Sequence, residues 1–147
     1  MLKSILFSGL ILFLLGLVVY IVMAIKSQTM PDDLGLQNGL LRPCPDSPNC
    51  VCSEIHNKDD TQHYIAPLVA SLDTVKAVIR QQGGEVVSEN KDYIHAVFTT
   101  SIFRFVDDVE LRFEPESGVT HIRSASRMGR SDFGVNRKRV ETIKEAL

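Results

Sequence analysis

An α+β domain carried behind one apolar N-terminal helix is the architecture this sequence predicts, and three observations predict it. Ile5 to Ile25 reads ILFSGLILFLLGLVVYIVMAI, a run without a charge between Lys3 and Lys26. Two later stretches repeat apolar residues at the helical period, Leu72, Val75, Val78 and Ile79 in one and Val135, Val140, Ile143 and Leu147 in the other. Among them lie segments that alternate apolar and polar residues, with connections short enough to force antiparallel hairpins. The expected domain is an antiparallel sheet of about five strands with both helices on one face.

Taken in order, the N-terminal run comes first. As a helix it measures about 31 Å at 1.5 Å per residue, enough to cross a bilayer core of about 30 Å. A cleaved signal peptide has an apolar stretch of only about 7–15 residues, so the length favours a retained single-pass anchor over residues 1–26. The bilayer, reached through residues 5–25, is thus the first expected partner. Residues 27–62 hold Pro31, Gly35, the turn pair Asn38-Gly39 and the element CPDSPNC, and they read as an extended linker and a Cys/Pro-rich cap. Cys44 and Cys50 bracket a proline-stiffened loop that a disulfide can close, and structural disulfides belong to exported compartments. The C-terminal domain is therefore expected on the exported side. Cys52 is left over.

The compact domain is expected over 63–147. His63–Pro67 is a short strand candidate. Ser71 is the N-cap of the first helix and Gly83 its stop. EVVSEN, DYIHAVFTT, DDVELRFE and GVTHIRSAS follow as strands, and GVNRKRVETIKEAL is helical to the end. The order strand, helix, four strands, helix is similar to the TATA-binding-protein-like arrangement. Helices on one side leave the other bare, and alternation places Tyr93, His95, Glu110, Arg112, His121 and Arg123 on that bare face.

Two blocks carry a family resemblance. LRPCPDSPNCVCSE (Leu41–Glu54) and FRFVDDVELRF, followed by HIRSASRMGRSDFGVNRKR, resemble the domain of unknown function 1499 family over about residues 36–147. That family has a Cys-Pro…Ser-Pro-Asn-Cys element, a Phe-x-Asp-Asp strand and an Arg-Ser-x-Ser-Arg-x-Gly run. The resemblance makes Cys44 and Cys50 the better disulfide pair, because Cys52 stands where the family pattern more usually has serine. It implies no activity.

Several constellations bear on chemistry. Cys44, Cys50, Cys52 and His56 do not have the spacing of a zinc finger or ribbon. Asp107 and Asp108 are adjacent on a strand and point to opposite faces, which disfavours a shared metal and favours ion pairs with Arg123 and Arg127. No metal and no cofactor are expected. From His121 to Val140, Arg123, Arg127, Arg130, Arg137, Lys138 and Arg139 face a single acid, Asp132. Such a run suits a phosphate or carboxylate, although Asp132 is placed to cap the last helix itself and the ion-pair network is the main expected role. Arg137–Arg139 are expected to form a solvated face. A net charge of −2, Glu110 set among the arginines of the expected bare face and the membrane anchor together argue against a nucleic-acid partner.

The candidate ligand set is Tyr93, His95, Arg112, His121, Arg123, Arg127 and Arg130. The expected function is a membrane-anchored, non-catalytic binding or interaction module for an anionic ligand or a protein partner. The alternative is a hydrolase or isomerase with His95 or His121 as general base on the open sheet face.

Overall fold

The computed structural model describes residues 2–54 and 58–147. Helix α1 spans Leu2–Ser27, and its segment Leu6–Ser27 is long and apolar enough to cross a membrane. A two-stranded hairpin follows, β1 (Leu36–Gln37) and β2 (Leu40–Leu41). Its turn is Asn38-Gly39, with φ of 52° and 80°, the double left-handed conformation that this residue pair tolerates. The remaining elements are β3 (Cys50–Cys52), α2 (Leu72–Gln81), β4 (Glu85–Glu89), β5 (Tyr93–Thr99), β6 (Val106–Glu114), β7 (Val119–Ser126) and α3 (Val135–Glu145).

Strands β3 to β7 form one antiparallel sheet in the order β3-β7-β6-β5-β4. The five-stranded α+β class agrees with expectation, but its first strand differs. His63–Pro67 makes only a single bridge, Tyr64 to Cys52, and the edge strand is Cys50–Cys52. The reason is side-chain alternation hidden inside a cysteine-rich loop. Val51 enters the helix-side core, while Cys52 points to the other face, against Leu41 and Tyr93.

Both helices lie on one face of this sheet. Val75, Val78 and Ile79 of α2 and Val140 and Ile143 of α3 share a core with Ile94, Ala96, Val109, Leu111 and Ile122. Burying each such aliphatic side chain stabilises the fold by about 1.5–3 kcal/mol. The Ser71 hydroxyl accepts from the Thr74 amide at 3.3 Å, so α2 starts where its cap residue dictates. Gly84 is required by close approach, since a Cβ there would sit 2.6 Å from Ile79 and 2.7 Å from the Phe98 ring. In α3 the buried stripe is Asn136, Val140 and Ile143, whereas Val135 and Leu147 are exposed.

The opposite face is not bare. The β1–β2 hairpin, in the chain before β3, folds across it onto β6 and β7, and Leu41 packs on Cys52 and Tyr93. Glu110 is 0%, His95 and Asp108 2%, Arg123 4% and Arg112 8% exposed. Polar alternation reads as a solvent-facing surface only while the charges are counted singly; here they are paired, and paired charges can be covered.

Helix α1 is joined to the domain at its C-terminal end. Ser27 is fully buried, and its hydroxyl accepts from the Val106 amide at 2.7 Å. Arg127 donates to the Ser27 and Gln28 carbonyls at 3.3 Å each. About two turns earlier in the helix, the Tyr20 ring packs edge-on to Phe103 and Phe105 at 4.6 and 5.1 Å.

Candidate functional site

Strand β6 sets out the covered face as a row, Asp108, Glu110 and Arg112, with two-residue spacing. Its neighbours supply partners in register: His95 opposite Glu110 on β5, and Arg123 opposite Glu110 on β7. Each member of the row is then tied down separately.

Asp108 accepts from His95 Nε2 at 2.7 Å and from Arg127 through two parallel bonds, 2.9 and 2.7 Å. Burial works to raise its pKa, but the hydrogen bonds from His95 and Arg127 outweigh that and hold the carboxyl below the usual range. Glu110 accepts from the Tyr93 hydroxyl and the Gly35 amide at 2.8 Å each and from Arg123 at 3.2 Å. Burial, then the Glu110 charge and hydrogen bond, push the Tyr93 phenol well up, so Tyr93 is a fixed donor. Arg112 forms a bidentate pair with Glu54, 2.7 and 3.0 Å, and the same carboxylate accepts from the Leu41 amide at 3.1 Å. Its hydrogen bond to Glu54 raises the Arg112 pKa.

Arg42 is differently placed. Its guanidinium contacts the carboxylate of Asp33, an exposed residue, and its Nε lies 3.6 Å from Glu110. Burial first, and then the nearby Arg123 charge, lower its pKa. Among the described residues, Arg42 Nε and Arg123 Nε are buried side-chain donors without a hydrogen-bond partner. An unmade bond of this kind costs about 1–3 kcal/mol. Four arginines with largely buried side chains, Arg42, Arg112, Arg123 and Arg127, therefore face three buried carboxylates, Glu54, Asp108 and Glu110. Outside these three, the carboxylates that reach the four arginines among the described residues are the exposed Asp33, at Arg42, and Glu114, 3.6 Å from Arg112.

A cleft of about 280 Å³ opens at this point between the cap and the end of β7. Its lining includes Arg42, Arg123 and Arg127, the carboxylates Asp33 and Asp108, and the polar side chains of Ser47 and Asn49. The structure thus brings Arg123 and Arg127 of the expected set together and adds Arg42. Tyr93 and His95 lie beneath as holders of carboxylates. Arg112 and His121 sit at the other end of the face around Glu54, with His121 Nδ1 3.3 Å from the Ser53 hydroxyl. Arg130 is exposed and outside the cleft lining.

The ion pairs also sort by face. Asp108 meets Arg127, whereas Arg123 goes to Glu110 and not to either aspartate. Asp107 lies on the helix side and pairs with Arg139 at 2.6 Å, whose guanidinium also lies 4.6 Å from the Phe98 ring centre. Arg137 donates to the Gln62 and Tyr64 carbonyls at 2.9 and 3.0 Å. The expected solvated face at Arg137–Arg139 is corrected for Arg137 and Arg139, which α3 lays along the domain, while Lys138 is exposed as expected. Gly134, not Asp132, is the N-cap of α3, yet the Asp132 carboxylate accepts from the Gly134 and Asn136 amides at 3.0 and 2.7 Å and so closes that helix end.

Cys44 and Cys50 are joined in a disulfide, and Cys52 is a buried free thiol, pushed up to about 11 chiefly by desolvation. His56, the fourth residue weighed as a zinc ligand, lies outside the described residues. Asn136, fully buried, was not foreseen. It bonds Asn49, Ser124 and Ser126 and fastens α3 to β7 and to the loop before β3. The missed residues Arg42 and Glu54 flank the cysteine element, and the signal that could have exposed them is Asn38-Gly39, a hairpin turn that needs a surface to lie on.

The molecule is an α+β domain in which a disulfide-closed cap covers a polar sheet face. Residues 40–147 match the family described as Protein of unknown function (DUF1499), and the chain belongs to that family. No curated protein and no solved structure matches the chain.

Proposed function

We propose that this protein is a membrane-anchored, non-catalytic binding module whose cleft takes a small anionic group, a phosphate or a carboxylate. The observation that carries the reading is the surplus arginine: Arg42 and Arg123 are buried side by side with unpartnered Nε donors, and the cleft beside them is wide enough for one tetrahedral or planar anion. An anion there would replace the exposed Asp33 carboxylate as the partner of Arg42 and relieve the repulsion between the two guanidinium groups.

Anchoring is supported by the length of α1 and by the way its last two turns meet the domain through Tyr20 and Ser27. Val22-Met23-Ala24 has the small-residue pattern of a signal cleavage site, but a cut after Ala24 would strip Tyr20 from Phe103 and Phe105. The Cys44–Cys50 disulfide supports an exported location for the domain. The TATA-binding-protein-like order remains a reading of connectivity and has no part in this argument. Catalysis by His95 finds no support in its surroundings, since the ring is bonded to Asp108 and is 2% exposed.

The test uses the full chain in a mild detergent, melted in sodium phosphate, acetate or chloride at equal ionic strength. A bound anion at 100 times its Kd stabilises by about 2.7 kcal/mol. Phosphate or acetate is expected to raise Tm over chloride in the wild type and not in Arg42→Met. Equal melting in all three salts would remove the reading.

A further inference from the structure

Where the apolar helix meets the domain, the domain's own surface turns apolar. The β5–β6 loop, Thr100–Phe105, carries Ile102 and Phe103 at 79% and 51% exposure. Beside it Phe133 is 98% exposed and held at a φ of 55°, a conformation that a bulky residue adopts only under constraint. Phe103 and Phe133 line one cleft of about 380 Å³ with Tyr20 and Met23 of α1, and Ile102 and Phe103 line a second with Ile21 and Ile25. The patch is therefore continuous with the surface of the helix itself.

Depth follows from helix geometry. The segment Leu6–Ser27 has 22 residues. At 1.5 Å per residue it is about 33 Å long, little more than a hydrocarbon core of about 30 Å. Tyr20 lies seven positions before Ser27, about 10 Å down the axis. If α1 spans the core, Tyr20 sits about 7–10 Å inside its boundary, and Phe103, packed on Tyr20, sits at the same level, within the roughly 5–10 Å that interfacial insertion reaches.

The loop is built for that depth. The Thr100 amide donates to the Phe105 carbonyl at 2.9 Å, the Arg104 amide to the Thr100 carbonyl at 3.1 Å, and the Phe105 amide to the Thr100 hydroxyl at 2.9 Å. Gln28 donates to the Arg104 carbonyl. These bonds satisfy the backbone at the base of the loop, which lowers the cost of bringing it up to an apolar medium.

We propose that Ile102, Phe103 and Phe133 insert into the interfacial zone of the bilayer that α1 crosses, so that the domain lies on the membrane in one orientation and does not swing on a tether. This rests on the anchored reading above. Arg104, exposed at the loop's end, is placed to reach the phosphate level.

The chain has no tryptophan, so single-tryptophan variants report without background. Full chains carrying Ile102→Trp, Phe103→Trp or Phe133→Trp are reconstituted in phosphatidylcholine vesicles with and without bromine on the acyl chains. Leu14→Trp reports the anchor. Val69→Trp, 87% exposed and next to Leu68, which bridges Thr120 at the far end of β7, reports the domain's distal side. Expected are blue-shifted emission and bromolipid quenching at 102, 103 and 133, strongest with bromine near the headgroup end, deep quenching at 14 and none at 69. Quenching at 14 with 102, 103 and 133 as unquenched as 69 would overturn the proposal and leave the anchor standing. No quenching at 14 would overturn the anchor and the proposal with it. Blue-shifted emission at 102, 103 and 133 that bromolipid does not quench, and that reverts on dilution into excess lipid, would assign the patch to a second copy of the chain and also overturn it.

Discussion

Replacing Arg127 with methionine tests whether the covered face is held by its charges. Arg127 supplies both arms of a bidentate pair to Asp108, which is 2% exposed, and also bonds the Ser27 and Gln28 carbonyls. Its loss leaves Asp108 with His95 alone in a site shielded from water. Breaking a buried pair from one side costs about 3–5 kcal/mol. At roughly 2–5 °C per kcal/mol for a domain of this size, Tm should fall by about 6–25 °C. The comparison is Arg42→Met, which removes a charge that burial and Arg123 already disfavour and whose partner Asp33 is exposed. That change should shift stability by less than about 1 kcal/mol in either direction. Both are read by circular-dichroism melts of the full chain in detergent. Equal losses for the two variants, or a larger loss at Arg42, would refute the division of the arginines into those that hold the fold and the one that waits for a ligand.

Two further predictions follow from titration and access. The Asp108 carboxyl is depressed in the folded state, so its stabilisation is complete above the unfolded value of about 3.9 and is lost as pH falls from there through the lower folded value. Acid unfolding followed by circular dichroism should show this decline below about pH 4 in the wild type and a shallower one in Asp108→Asn; identical acid limbs would contradict it. Cys52, buried and with a thiol raised to about 11, should resist iodoacetamide at pH 8 until the domain opens, its labelling by mass spectrometry tracking unfolding with denaturant. Rapid labelling of the native chain would show that the cap does not close over β3.

What the sequence made legible was local chemistry. The period of Val75, Val78 and Ile79, the Ser71 cap and the alternation along β5, β6 and β7 all translate into structure, because each depends on neighbours within a few residues. The opposite faces of Asp107 and Asp108 follow from the same alternation, one aspartate going to Arg139 and the other to Arg127. The covering of the polar face was not legible, because it depends on pairings far apart in the chain: Glu54 with Arg112, Gly35 with Glu110, Ser27 with Val106. A row of charges looks solvated until its partners are found. The edge strand Cys50–Cys52 was masked for a related reason, since three residues that start at a disulfide-bonded cysteine just after two prolines carry too little pattern to be told from loop. The cleft inherits this difficulty, as its distinguishing residue, Arg42, belongs to the cap and not to the sheet.

The central claim, that Arg42 and Arg123 are the incompletely answered charges of this face, is tested most directly by nitrogen–proton correlation spectra of the arginine Nε–Hε groups during titration with inorganic phosphate. The Arg42 and Arg123 resonances should move in a saturable way, while that of Arg112, already bonded to Glu54, stays in place. Saturable shifts confined to the exposed Arg130, or no shifts at all, would contradict the account.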